Sequence, residues 1–210
     1  MTAIVLAAGQ GSRFRAEAGA DHHKFLAACV GLDGVSRPVI EQVLRNLPER
    51  VVTRWLVTSP ERGEVIRLAE AYGCQVVLLD SSGMGDSIAA AVKATAGANG
   101  WLVLPADLPL IQASTLQQLA LQLAQLESRE LRVIQPFYQG QKGHPVAFSR
   151  AAAKELAELS GDLGAASIVR NAAENQRLRR WDCDDIGCVL DVDTVQALEE
   201  ARRIWQARNS

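Results

Sequence analysis

The sequence predicts a single α/β domain, residues 1–210, built on a mixed, mostly parallel sheet with helices on both faces. Two observations lead there. Strand-like runs too apolar to have a wet face alternate with segments of helical period, which is what a parallel sheet covered by helices requires. Between residues 132 and 149 the rhythm changes to two extended segments around a glycine-containing turn, adding antiparallel strands. A chain of 210 residues with no internal repeat or low-complexity stretch fits one domain.

The elements follow in order. Ala3–Ala8 (AIVLAA) is the first strand. Pro38–Leu47 (PVIEQVLRNL) is a helix opened by a proline, whose missing N–H costs nothing in a first turn. Val52–Ser59 is the second strand, Glu64–Gly73 a helix closed by its glycine, and Cys74–Asp80 the third strand. A glycine turn feeds a helix from about Asp86 to Thr95, and Trp101–Asp107 is the fourth strand. An amphipathic helix runs from Ser114 or Thr115 to about Glu127. After the two extended segments, joined by a turn across Gly140–Gly143, RAAAKELAEL and GAASIVRNAA are short helices and LRRWD and CVLDVD short strands. TVQALEEARRIWQAR is the closing helix.

Composition narrows the function. A hydrophobic content of 48%, a charged content of 22% and a net charge of −2 argue against a nucleic-acid coat or a basic membrane-surface helix. No apolar run reaches the roughly 18 residues of a membrane span, and the N-terminus lacks a secretory pattern, so a cytoplasmic protein is expected. Cys29, Cys74, Cys183 and Cys188 match no zinc spacing and are expected as small buried residues. His22 and His23 are adjacent, point different ways, and are read as loop residues.

Ligands of open α/β sheets collect at the carboxyl ends of the strands. The unusual residues fall there. Gly9 and Gly11 leave the first strand, and glycines allow backbone amides to turn toward one anion. Ser12 adds a hydroxyl, Arg13 a bidentate fork and Lys24 a point charge, a set suited to a polyphosphate. The stretch GQGSRF lacks the third glycine of a dinucleotide fingerprint, and no GxxxxGK[ST] is present. Asp107 ends the fourth strand; a carboxylate facing a phosphate loop calls for a divalent cation between them. Asp191 and Asp193 share one side of an extended segment. One completes the metal site, and the other either joins it or caps the final helix.

The motifs LAAGQGSRF…K, GMGDSIAAAVKA, LPADLPL, KGHPVAFS, GDLGA and LDVDT, in that order from Ile4 to about Glu200, resemble the MobA-like NTP transferases. Among these, the chain is most similar to the molybdenum cofactor cytidylyltransferases. The resemblance implies a Rossmann-like, GT-A-like nucleotidyltransferase fold in three layers. It also implies transfer of a nucleoside monophosphate from an NTP to a phosphorylated acceptor, with release of pyrophosphate. Leu6, Ala7, Ala8, Gly9, Gly11, Ser12, Arg13 and Lys24 would hold the nucleotide, with Gly83, Gly85 and Ser87 near its base or ribose. Asp107 would bind Mg²⁺, or alternatively Mn²⁺, with Asp193 or Asp191 beside it, and His144 would face the acceptor. Catalysis would rest on Arg13, Lys24, Asp107 and His144.

LAAG resembles the cytidylyl branch, the guanylyl branch beginning LAGG, so the implied partners are CTP and molybdenum cofactor. A molybdenum hydroxylase of the xanthine dehydrogenase type is the implied client, and neither nucleic acid nor membrane is expected. GTP, another NTP, a sugar- or polyol-phosphate acceptor, and a cofactor-carrying chaperone stay open. Two departures stand out. Ten residues, FRAEAGADHH, separate Arg13 from Lys24, and the arginine that follows GA in the family is missing from GDLGAASIVR, where Arg170 is not assigned its place.

Overall fold

The computed structural model describes residues 1–19, 21–48, 52–81, 83–125, 130 and 132–208. The chain runs β1 (Thr2–Leu6), α1 (Ser12–Ala18), β2 (Ala28–Val30), β3 (Ser36–Pro38), α2 (Val39–Asn46), β4 (Thr53–Thr58), α3 (Gly63–Ala71), β5 (Gln75–Leu78) and α4 (Met84–Ala94). It continues through β6 (Gly100–Pro105), α5 (Ala113–Ala124), β7 (Val133–Tyr138), β8 (Gln141–Lys142), β9 (Val146–Ser149), α6 (Ala153–Ala157), α7 (Ala166–Glu174), β10 (Leu178–Asp182) and α8 (Val195–Arg208). The expected span of α5 to Glu127 runs into residues outside the described set.

The main sheet has the order β10-β7-β9-β6-β1-β4-β5, with β8 paired to β7. β1 is parallel to both β4 and β6, while β9 runs antiparallel between β6 and β7. This is the mixed, mostly parallel sheet read from the sequence. Side chains alternate along β1. Ala3 and Val5 join the core under α2, α3 and α5, and Ile4 faces the other way among residues of α4, α6 and α7. Both faces of β1 are therefore buried, as its unbroken apolar run required.

Three parts differ from the expectation. Ser12–Ala18, within what reads as a loop, forms α1 and buries Phe14 in a third cluster with Val192, Leu198 and Ala201 near α8. β2 and β3 form a small hairpin outside the main sheet. CVLDVD is not a strand: residues 186–188 make a 3-10 turn capped by Asp185, whose carboxylate accepts from the Gly187 amide. No described helix is long and apolar enough to cross a membrane.

Candidate active site

The register of the two central strands builds the site. Leu6 pairs with Pro105, and the Ala106 amide donates to the Leu6 carbonyl at 3.1 Å. The glycine turn after β1 and Asp107 after β6 therefore emerge side by side at the carboxyl edge of the sheet.

The turn is oriented from behind. Arg62, at the entrance to α3, donates to the carbonyls of Ala7, Ala8 and Gly9, at 2.5, 3.2 and 2.8 Å. In a trans peptide the N–H points opposite to the C=O. The amides of Ala8, Gly9 and Gln10 therefore face away from Arg62. Gly11 sits at φ 62°, the left-handed region that glycine enters without strain, whereas a side-chain carbon at Gly9 would meet open space. Ser12 and Arg13 are exposed at the start of α1.

Lys24 reaches the site although ten residues separate it from Arg13. Its neighbour Phe25 is buried in the core, which pins the short 3-10 turn that carries both. Lys24 itself is 7% exposed, and its Nζ lies 2.5 Å from Asp107 Oδ2 and 2.5 Å from Asp193 Oδ1. Its stem passes over Gly11. Arg13 approaches the other oxygen of Asp193 at 3.3 Å. Lys24 thus stands between the glycine turn and the carboxylates rather than in the turn alone.

Asp107, Asp191 and Asp193 each offer one oxygen, and these lie within 4.8 Å of one another. Burial pushes the Asp107 carboxyl above its usual range; Lys24 opposes the shift, and Asp191 and Asp193 add to it. Burial also raises Asp193, but its bond to Lys24 and the charges of Lys24 and Arg13 outweigh this and hold it low. Burial pulls Lys24 down, and the two carboxylates more than restore it, so it remains a cation. Asp107 Oδ1 is buried with no hydrogen-bond partner. Three carboxylates against Lys24 and Arg13 leave one negative charge over. An orphaned buried oxygen within an all-oxygen donor set fits a hard divalent cation. The alternative of an aspartate capping the final helix is excluded, because Thr194 Oγ1 accepts from the Ala197 amide and Glu17 from the Val195 amide.

The remaining expected residues divide. His144, joined to Pro145 by a cis peptide, is exposed yet recessed in a cavity. Gly83 and Gly85 are explained by packing: a side-chain carbon at Gly83 would strike the Asp86 carboxylate, and one at Gly85 the backbone of residues 160–161. Ser87 is 2% exposed and donates to the Gly83 carbonyl, so its hydroxyl is not offered to a ligand. His22 is exposed, and His23 accepts the Phe25 amide at Nδ1. Cys29, Cys74 and Cys188 are buried, as expected, whereas Cys183 is only half-buried. Arg62, which clamps the glycine turn, escaped the sequence reading, because it gave no signal in a polar loop.

The profile of the MobA-like NTP transferase domain matches residues 3–180. No curated protein matches the chain in sequence. Among solved structures, a nucleotidyl transferase of Methanothermobacter thermautotrophicus has a TM-score of 0.77 at 21% identity, over 99% of this chain and 98% of that one. The Rv0371c protein of Mycobacterium tuberculosis H37Rv in complex with manganese has a TM-score of 0.72 at 24% identity, over 96% and 97%. Molybdopterin-guanine dinucleotide biosynthesis protein A of Archaeoglobus fulgidus has a TM-score of 0.64 at 16% identity, over 99% and 100%. These likenesses establish the Rossmann-like nucleotidyltransferase fold.

Proposed function

The chain belongs to the MobA-like NTP transferase family, and on that premise we propose that it transfers CMP from CTP to a phosphorylated acceptor of the molybdenum cofactor type, releasing pyrophosphate. One observation carries the reading: the orphaned Asp107 Oδ1 lies in a carboxylate cluster beside a turn whose amides are all turned one way. An anion and a divalent cation are the two things such a pair of neighbours can take together.

The attacking group is the acceptor phosphate, already ionised near neutral pH, so no strong protein base is needed. The chain's work is positioning and neutralisation of charge. The amides of Ala8, Gly9 and Gln10, with Arg13, hold the triphosphate, and Arg62 keeps those amides aimed. Lys24, already bound to Asp107 and Asp193, supplies a cation at the border between phosphates and carboxylates. Asp107, Asp191 and Asp193 would hold Mg²⁺ or Mn²⁺, which supplies further charge neutralisation and orientation at the phosphates. His144 stands on the acceptor side. The residues LAAG support CTP as donor, with GTP its nearest competitor.

The test is pyrophosphate release from a panel of NTPs, with molybdenum cofactor or sugar phosphates as acceptor and either metal present. Highest kcat/KM for CTP with molybdenum cofactor is expected. CTP binding without any pyrophosphate release would overturn the enzymatic reading in favour of a carrier. Release only with a sugar phosphate would overturn the acceptor.

A further inference from the structure

A cavity of about 430 Å³ opens beside the carboxylate cluster, and of the residues expected to hold the nucleotide only Leu6 reaches its wall. One wall is the sheet, through Leu6, Val103, Pro105, Val146 and Phe148. The other is one face of α7, where Ala166, Val169, Arg170 and Ala173 recur at helical spacing. Three of those four are small or apolar, so the space between helix and sheet is a slot. Met84 and Leu163 also line it, and they are 48% and 85% exposed, an apolar edge left facing solvent.

The polar groups are few. Gln135 is 7% exposed; its Nε2 donates to the Gly143 carbonyl at 3.3 Å, while its Oε1 is buried with no partner. A buried acceptor left unpaired is costly, so this oxygen stands ready for a donor. Lys142, His144 and Arg170 complete the set. Among the described residues no carboxylate lines the cavity, and neither Lys142 nor Arg170 forms an ion pair. The polar rim is therefore basic, the interior apolar, and the one deep polar atom an acceptor.

We propose that this cavity seats the acceptor and that Gln135 and Arg170 select it: Gln135 Oε1 takes a ring N–H of a flat heterocycle, and Arg170 with Lys142 grips its phosphomonoester. The assignment of the occupant as acceptor rests on the transfer reading above. A polyol phosphate fits the slot poorly, since its hydroxyls would lie against Leu6, Val103 and Phe148 with nothing to bond. A guanidinium on the rim gives a phosphate the bidentate fork that an alanine at 166 does not.

The experiment titrates the full chain by calorimetry with three probes: 6-hydroxymethylpterin phosphate, 1-naphthyl phosphate and ribose 5-phosphate. Each titration is run with and without α,β-methylene CTP and Mg²⁺. The pterin phosphate is expected to bind in both conditions, with 1-naphthyl phosphate about tenfold weaker for want of the N–H and ribose 5-phosphate weaker still. Arg170→Gln, at an exposed position, is expected to weaken both aromatic phosphates by about tenfold or more. Gln135→Met is expected to lower only the pterin phosphate, to the level of 1-naphthyl phosphate, with circular dichroism confirming the fold of both variants. Displacement of the pterin phosphate by the CTP analogue would assign the cavity to the nucleotide and overturn the proposal. So would equal binding of ribose 5-phosphate, or indifference to Arg170→Gln. Pyrophosphate release, measured separately with CTP, Mg²⁺ and molybdenum cofactor together, reports on the transfer reading: its failure beside normal probe binding overturns transfer while leaving the selection by Gln135 and Arg170 standing.

Discussion

The Asp107 carbonyl accepts the Val192 amide at 2.9 Å, and that bond joins two distant segments into one carboxylate cluster. Val192 is fully buried beside Phe14, Leu110 and Leu198. With Val192 turned inward, Asp191 and Asp193 on either side of it turn outward toward Asp107. The backbone fixes where the acidic groups meet, and their side chains are left to handle charge.

Asp107→Asn separates those two duties. The bond to Val192 uses only the main chain and survives, and Lys24 keeps Asp193 as a partner. What disappears is one negative charge at the most buried carboxylate of the cluster. Pyrophosphate release is expected to fall by at least about 100-fold, since even losses in the outer shell of a metal site cost about 10–100-fold. The melting temperature should move by no more than about 4 °C. Wild-type turnover in the Asn variant would remove Asp107 from the metal site.

Arg62→Lys tests the clamp behind the glycine turn. Lysine keeps the charge, but one ammonium on a flexible stem cannot reproduce a planar fork that reaches the carbonyls of Ala7, Ala8 and Gly9 together. The expected result is a loss of about 1–3 kcal/mol of stability and a raised KM for the nucleotide, with kcat changed less. Thermal melting and a KM measurement check it. Unchanged KM would mean that the turn holds its shape without Arg62.

How much of this was legible depended on the length of each signal. The strands β1, β4 and β6 are long apolar runs and were readable, as was the period-two spacing of Asp191 and Asp193. Helix α1 was not, because SRFRAEA carries a single large apolar anchor, Phe14, which packs on a distant segment. Strands β2 and β3, three residues each, are shorter than any alternation that can be counted. CVLDVD alternates like a strand, but Val192 meets only a single carbonyl, and Asp185 folds the preceding residues into a turn. Long-range assembly by single hydrogen bonds leaves no periodic trace.

Gly85 and Gly9 make a contrasting pair, because both were read as ligand-facing glycines. A side-chain carbon at Gly85 would lie 2.8 Å from the Ser160 carbonyl group, which is backbone and cannot yield. Gly85→Ala is expected to cost about 1–3 kcal/mol, seen as a lower melting temperature. Gly9→Ala meets nothing and should leave the melting temperature unchanged while weakening nucleotide binding, as its methyl enters the space offered to phosphates. An equal thermal effect of both would contradict the packing account.

His23 links the site to pH through stability rather than through catalysis. Burial, then the charges of Arg62, Arg15 and Lys24, lower its pKa from 6.5 to about 4. The folded chain therefore refuses a proton that the unfolded chain accepts between those two values. Stability contributed by neutral His23 is fully present above pH 6.5 and is lost as the pH falls toward 4, the slope being positive wherever the unfolded state binds more protons. His23→Asn keeps an acceptor for the Phe25 amide but cannot titrate. The melting temperature of the wild type should thus fall more steeply than that of the variant as the pH is lowered from 6.5 to 4. Parallel curves across that window would show that another group carries the dependence.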